Sequence, residues 1–262
     1  MPEISVIIPA WNEERELPET LAQIRAALEE LDRPIGRSHE IIVVDDSSTD
    51  RTADIAWSFG ARLERVEKRQ IAAVRNAGAR VAQGRYLIFI DADTRVPYAT
   101  LVAALSELDR GAVGGGASVE MEGQLPLLLR PAMFAFMLVW GWLGHAAGCF
   151  VWCRAEDFRA IGGFDERFFA SEEVWLSKAL KERGRFVIVA PSVRSSGRKM
   201  RQRAPIGLLW YSLKLLLRGP KAWQRREGLD LWYDGQRESA VVANDSLTPP
   251  PAAAMPRPRN VG

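Results

Sequence analysis

Chemistry-bearing residues concentrate in three short polar strings, each placed directly after an apolar run: Pro9-Ala10-Trp11-Asn12-Glu13-Glu14, Asp45-Asp46-Ser47-Ser48-Thr49-Asp50 and Asp91-Ala92-Asp93. The third is the sharpest. Asp91 and Asp93 flank a small residue at the end of Leu87-Ile88-Phe89-Ile90, and two carboxylates at a buried strand end repel unless a cation compensates them. Hard oxygen ligands of this kind suit Mg2+ or Mn2+ bound together with substrate phosphates. A lone Asp-Ala-Asp also reads as a capped turn, with Asp93 or Thr94 bonding helix amides. Open α/β sheets bind ligands at the carboxyl ends of their strands, so the three strings are expected to meet along one edge.

The elements that must position them follow from periodicity. Ile4 to Ile8 predicts a strand, and Leu17, Leu21, Ile24, Leu28 and Leu31 recur at helical spacing. Glu40 to Val44 predicts the second strand, followed by a helix near Arg51 to Phe59, a short strand near Arg62 to Val66, a helix over Ile71 to Val81 and a strand over Tyr86 to Ile90. Pro97 opens the next helix, Leu101, Val102, Leu105 and Leu108 give its buried stripe, and Gly111 stops it. Beyond Gly114-Gly115-Gly116 come a strand through Val119, a long apolar segment, a strand at Cys149 to Cys153 and the loop Gly162 to Glu166. A helix over Glu173 to Lys181, a last strand at Phe186 to Val189 and an apolar helix from Ile206 to Arg218 complete the pattern. Strands alternating with helices predict an α/β class with a mostly parallel sheet and flanking helices. A single domain over 1–200 is expected, then an apolar and basic helical extension over 201–243 and a Pro- and Ala-rich tail, 244–262, that should be disordered.

With 262 residues and 47% hydrophobic content the chain can build one substantial core. Thirty-five basic against 33 acidic residues leave a net charge of +2, so no uniform field draws it to nucleic acid. Cys149 and Cys153 read as small buried hydrophobes on one strand face; a straight strand at about 3.3 Å per residue holds them too far apart for a disulfide. Met1-Pro2-Glu3 runs straight into an apolar strand without a basic leader, which predicts a cytoplasmic setting.

Ser5 to Glu14, Ile42 to Asp50 and Phe89 to Asp93 resemble, in order and spacing, the family 2 glycosyltransferases. Ala73-Val74-Arg75-Asn76-Ala77-Gly78 is similar to that family's third segment, and Gly162-Gly163-Phe164-Asp165-Glu166 with Glu172-Glu173 to its acceptor-side segments. The resemblance implies a Rossmann-like GT-A fold with a donor half over 1–95 and an acceptor half over 96–200. It implies inverting transfer of a sugar from a nucleotide diphosphate donor, such as a UDP-sugar, to an acceptor hydroxyl, with Mn2+ or Mg2+ as cofactor. By the same resemblance Pro9, Asn12 and Glu13 line the nucleotide pocket, and Asp45 bonds the base edge with Asp46 behind it. Arg75 faces the diphosphate with help from Arg69, Asp91 touches the donor ribose or a metal-bound water, and Asp93 ligates the metal. The structural alternatives are an Asx turn at Asp46 and Ser48 and solvated helix charges at Arg69 and Arg75.

Inverting transfer needs a base beside the acceptor. The family usually carries Glu-Asp where this chain has Glu172-Glu173, which makes Glu173 the matching base, with Asp165 against an acceptor hydroxyl. Both glutamates could instead favour the positive end of the helix they open. Neither His39 nor His145 stands where some relatives complete the metal shell with a late histidine. The basic run Arg194 to Lys199 occupies that region, and Arg198 is expected to close over the leaving diphosphate; its alternatives are a solvated loop or a contact with anionic lipid.

Ala132 to Trp152 is a stretch of 21 residues without a formal charge, long enough to span a bilayer. A single span would separate Asp93 from Glu173, so a helix and a core strand are expected instead, with Phe134, Met137, Leu138, Trp140 and Trp142 forming a greasy acceptor entrance or interfacial surface. A lipid-linked or membrane-proximal acceptor and a peripheral place on the inner face of the membrane follow as expectations. Glu in place of Asp leaves open a rival reading: a catalytically silent sugar-nucleotide-binding or scaffold protein.

Overall fold

The computed structural model describes residues 2–121 and 144–196. The elements run β1 (Ile4–Ala10), α1 (Leu17–Ile35), β2 (His39–Asp45), α2 (Thr52–Ser58), β3 (Arg62–Arg65), α3 (Ile71–Val81), β4 (Tyr86–Ile90), β5 (Thr94–Arg95), α4 (Tyr98–Asp109), β6 (Gly114–Met121), β7 (Phe150–Arg154), α5 (Ala155–Ala160), α6 (Glu172–Arg183) and β8 (Phe186–Ser195). The strands form one eight-stranded sheet in the order β3-β2-β1-β4-β7-β6-β8-β5. Every strand but β5 and β7 points the same way.

β1 and β4 are buried at every position because a strand lies on each side and helices cover both faces. Alternation along β1 sends Ile4, Val6 and Ile8 to one face, where they pack with Leu17, Leu21, Ile24 and Leu28 of α1 and Leu101 and Leu105 of α4. Ile7 faces the other way, among Ile42, Val44, Val74 and Leu180. Gly78 decides how close α3 may come: a Cβ there would lie 2.5 Å from Ile7 Cγ2. Gly115 does the same for β6, where a Cβ would sit 1.9 Å from the Val187 carbonyl oxygen.

The helix over Ile71–Val81 and the strand over Tyr86–Ile90 fall where periodicity predicts them. β8 extends past Val189 to Ser195, because its pairing with β6 continues through a register shift between Ala117 and Val119 that no local pattern announces. α5, six residues long, is too short to display a helical period. The two thiols are free but do not share a face: Cys153 packs in the cluster around Ile7, whereas Cys149, lying ahead of the strand, packs against the other. Burial pushes both thiols up, which leaves them inert. Among the described residues no helix is long and apolar enough to cross a membrane. The expectations for Phe134, Met137, Leu138, Trp140, Trp142, Arg198, the helix from Ile206 and the tail lie outside the described residues.

Candidate active site

The strings after β1 and β2 lock to each other. Asn12, at φ 53°, accepts the Thr49 N–H at 2.8 Å, and its own N–H donates to Ser48 Oγ at 2.9 Å. The Glu13 N–H donates to Thr52 Oγ1 at 2.8 Å and the Glu14 N–H to Asp50 at 3.1 Å. Asp45 closes its own loop by accepting the N–H of Ser48, three residues on, at 3.1 Å. The Asp46 carboxylate reaches the segment ahead of α3, accepting the N–H groups of Lys68 at 2.7 Å and Arg69 at 2.8 Å. That grip holds Arg69 at φ 50° and lays its guanidinium 3.7 Å over the Trp11 ring.

Over these loops opens a cavity of about 320 Å³. Pro9, Glu13, Asp46, Arg69, Arg75, Asp91, Asp93, Glu172 and Glu173 all line it. Asn12 and Asp45 stand behind the wall as loop braces. Asp165 lies away from the cavity, where Arg167 grips its carboxylate through Nε at 2.9 Å and Nη2 at 2.6 Å and holds it below its usual range. Trp11, Gln70 and Ser171 are lining residues that were given no role from sequence. Trp11 belongs to the polar string after β1, where its aromatic ring is the signal; Ser171, at φ 61°, carries no sequence signal. Gln70 donates to the Phe168 carbonyl at 3.1 Å, and Asn76 both donates to the Phe164 carbonyl and accepts the Phe164 N–H at 2.9 Å. Gln70 and Asn76 thereby tie α3 to the loop that leads into α6.

The charged centre is built around Arg75, whose side chain is only 2% exposed. Nη1 donates to Glu172 at 2.5 Å, and Nη2 donates to Asp91 at 2.8 Å and to the Gly148 carbonyl at 2.7 Å. Glu173, next to Glu172 in the first turn of α6, has its carboxyl pushed up to about 8 by burial and by the Glu172 charge. Asp93 is 6% exposed and is held by the Ser196 hydroxyl at 3.1 Å.

Among the described residues no three His, Cys, Asp or Glu side chains gather as a self-sufficient metal cage. Asp91 and Asp93 supply two hard carboxylates facing the cavity, and that set fits a Mg2+- or Mn2+-type ion whose remaining ligands are phosphate and water.

Solved structures share this fold. A mannosyltransferase from Pyrobaculum calidifontis, solved in complex with GDP-Man and Mn2+, superposes with a TM-score of 0.59 at 23% identity, covering 74% of this chain and 57% of that one. Glucosyl-3-phosphoglycerate synthase from Mycobacterium tuberculosis, solved with Mn2+, UDP and glucosyl-3-phosphoglycerate, gives 0.56 at 19% identity, covering 80% and 75%. The fold is that of the GT-A glycosyltransferases. The glycosyl transferase family 2 model matches residues 5–158, and the chain belongs to that family. It is 36% identical over 136 residues to a dolichyl-phosphate beta-glucosyltransferase of Drosophila melanogaster, covering 45% of this chain and 42% of that protein. It is 38% identical over 104 residues to an undecaprenyl-phosphate 4-deoxy-4-formamido-L-arabinose transferase of Pseudomonas aeruginosa, covering 36% and 29%. The chain thus spans less than half the length of these relatives.

Proposed function

We propose that the chain transfers a sugar, with inversion, from a nucleotide diphosphate donor such as a UDP-sugar to a lipid-linked acceptor at a membrane surface. The carrying observation is a cavity lined both by Asp91 and Asp93, which follow β4, and by Glu173 on α6. The lipid-linked acceptor is supported by the two relatives named for dolichyl and undecaprenyl phosphate.

On this reading Pro9 and Glu13 shape the wall beside the nucleotide. Asp93, braced by Ser196, and Asp91, tied to Arg75, would hold the divalent ion, which neutralises charge on the departing diphosphate. Glu173 in its ionised form takes the proton of an acceptor hydroxyl as that oxygen bonds to the anomeric carbon and the bond to the diphosphate breaks. A carboxyl with a raised proton affinity accepts that proton more readily than an ordinary one, which favours a working base over the silent-binder reading.

Thermal unfolding with a panel of nucleoside diphosphates, each with and without Mn2+, tests the donor half. Stabilisation that needs both partners and disappears in Asp93→Ala is expected, growing with ligand as mass action requires. Equal stabilisation without the metal, or nucleotide binding with neither donor hydrolysis nor transfer across a panel of sugar nucleotides, would overturn the reading.

A further inference from the structure

Two arginines line the cavity, and their surroundings are opposite. Arg75 sets one positive charge against the two carboxylates of Asp91 and Glu172, and its Nη2 also serves the Gly148 carbonyl. An incoming diphosphate would have to displace a carboxylate from a guanidinium with almost no exposed surface, and would meet a centre whose carboxylates already outnumber its cation. Arg69 is half-buried, its backbone pinned by Asp46 and its guanidinium lying over Trp11, and among the described residues it has no carboxylate partner. Stacking uses the face of a guanidinium and leaves its in-plane N–H fork available for phosphate oxygens.

We propose that, of the two arginines, Arg69 is the one that meets the donor diphosphate beside the divalent ion, and that Arg75 is a positioning residue tying Asp91 on the donor side to Glu172 beside the base. This reverses the expected ranking of the two side chains and rests on the donor reading given above. Arg75 then acts through the carboxylates it holds: it fixes Asp91 relative to α6 and holds the Glu172 side chain in place, so its loss disturbs the geometry of transfer more than the binding of nucleotide. Arg69 acts on the ligand directly, through charge.

The test is calorimetric and kinetic, on the full chain with Mn2+, using UDP and GDP as diphosphate probes and uridine and guanosine as phosphate-free ones. Arg69→Ala is expected to raise the diphosphate Kd about 10- to 100-fold, the loss of a charged hydrogen bond, to flatten its salt dependence and to leave the nucleoside Kd unchanged. Arg75→Lys is expected to keep the diphosphate Kd and donor KM within about twofold while kcat falls at least about tenfold. Glu172→Gln breaks the same tie from its other end, should show the same split and serves if Arg75→Lys fails to fold. Equal weakening of diphosphate binding in Arg75→Lys and Arg69→Ala, or an unchanged diphosphate Kd in Arg69→Ala, overturns the assignment. A wild type that binds neither UDP nor GDP removes the donor reading and this assignment with it, whereas a failure confined to the variants strikes the assignment alone.

Discussion

Glu172 and Glu173 are adjacent and chemically identical, yet the fold gives them different surroundings. Glu172 faces the Arg75 guanidinium at 2.5 Å, while Glu173 is left with burial and its neighbour's charge. If the ionised Glu173 is the base, kcat/KM for a hydroxyl acceptor rises with pH through about 8, the value to which that carboxyl is pushed. Glu173→Gln should lower kcat by about 10²–10⁴-fold and erase that limb, whereas an acceptor phosphate, already ionised, should show little of it. The same shift carries a stability consequence. Between its ordinary value of 4.5 and about 8 the folded chain holds a proton that the unfolded chain has released, so stability falls as pH rises across that window. Melting temperatures measured from pH 5 to 9 should decline less steeply in Glu173→Gln. At this scale the identities of the acids were legible in their order, but their pairing was not: nothing local tells that Arg75 spends its charge on Asp91 and Glu172, because its partners lie 16 and 97 residues away.

α3 is the element that joins the two sides of the site. Its residues Arg75 and Asn76 reach Glu172 and Phe164, and Gln70 just ahead of it reaches Phe168. Asn76→Ala would leave the Phe164 backbone N–H without its partner, at a cost of about 1–3 kcal/mol in urea denaturation. Gly163→Ala should be at least as damaging, since φ there is 79° and the added Cβ would come within 2.7 Å of Asn76 Oδ1. Either change should lower transfer more than nucleotide affinity, because the loop they disturb leads to α6. α3 itself was readable because Gly84 and the strand that follows punctuate it and its apolar positions keep the period. β5, α5 and the second half of β8 were not, being too short or too irregular for period to speak; Pro191 in particular argues against a strand that only long-range pairing sustains.

Across the whole molecule, order along the sequence carried the architecture: strings after alternate strands imply a sheet edge, and β1, β2 and β4 do end at the cavity. What order could not convey is how thoroughly the halves interleave. β7 enters beside β4, and its Trp152, fully buried, donates from Nε1 to the Gly116 carbonyl at 3.1 Å. Trp152→Ala should therefore cost about 3–5 kcal/mol, visible as a lower urea midpoint with unfolding still in one step by fluorescence and circular dichroism.

Ser196 adds a constraint on timing. Its N–H and hydroxyl both reach Asp93, and among the described residues β5, two residues long, pairs only with the end of β8. A ribosome-bound chain that has emerged only as far as α4 already possesses Asp91 and Asp93, yet Asp93 still waits for β8 to arrive. The Asp93 carboxylate thus gains its Ser196 brace only once β8 has been made, although Asp93 itself is among the first hundred residues translated.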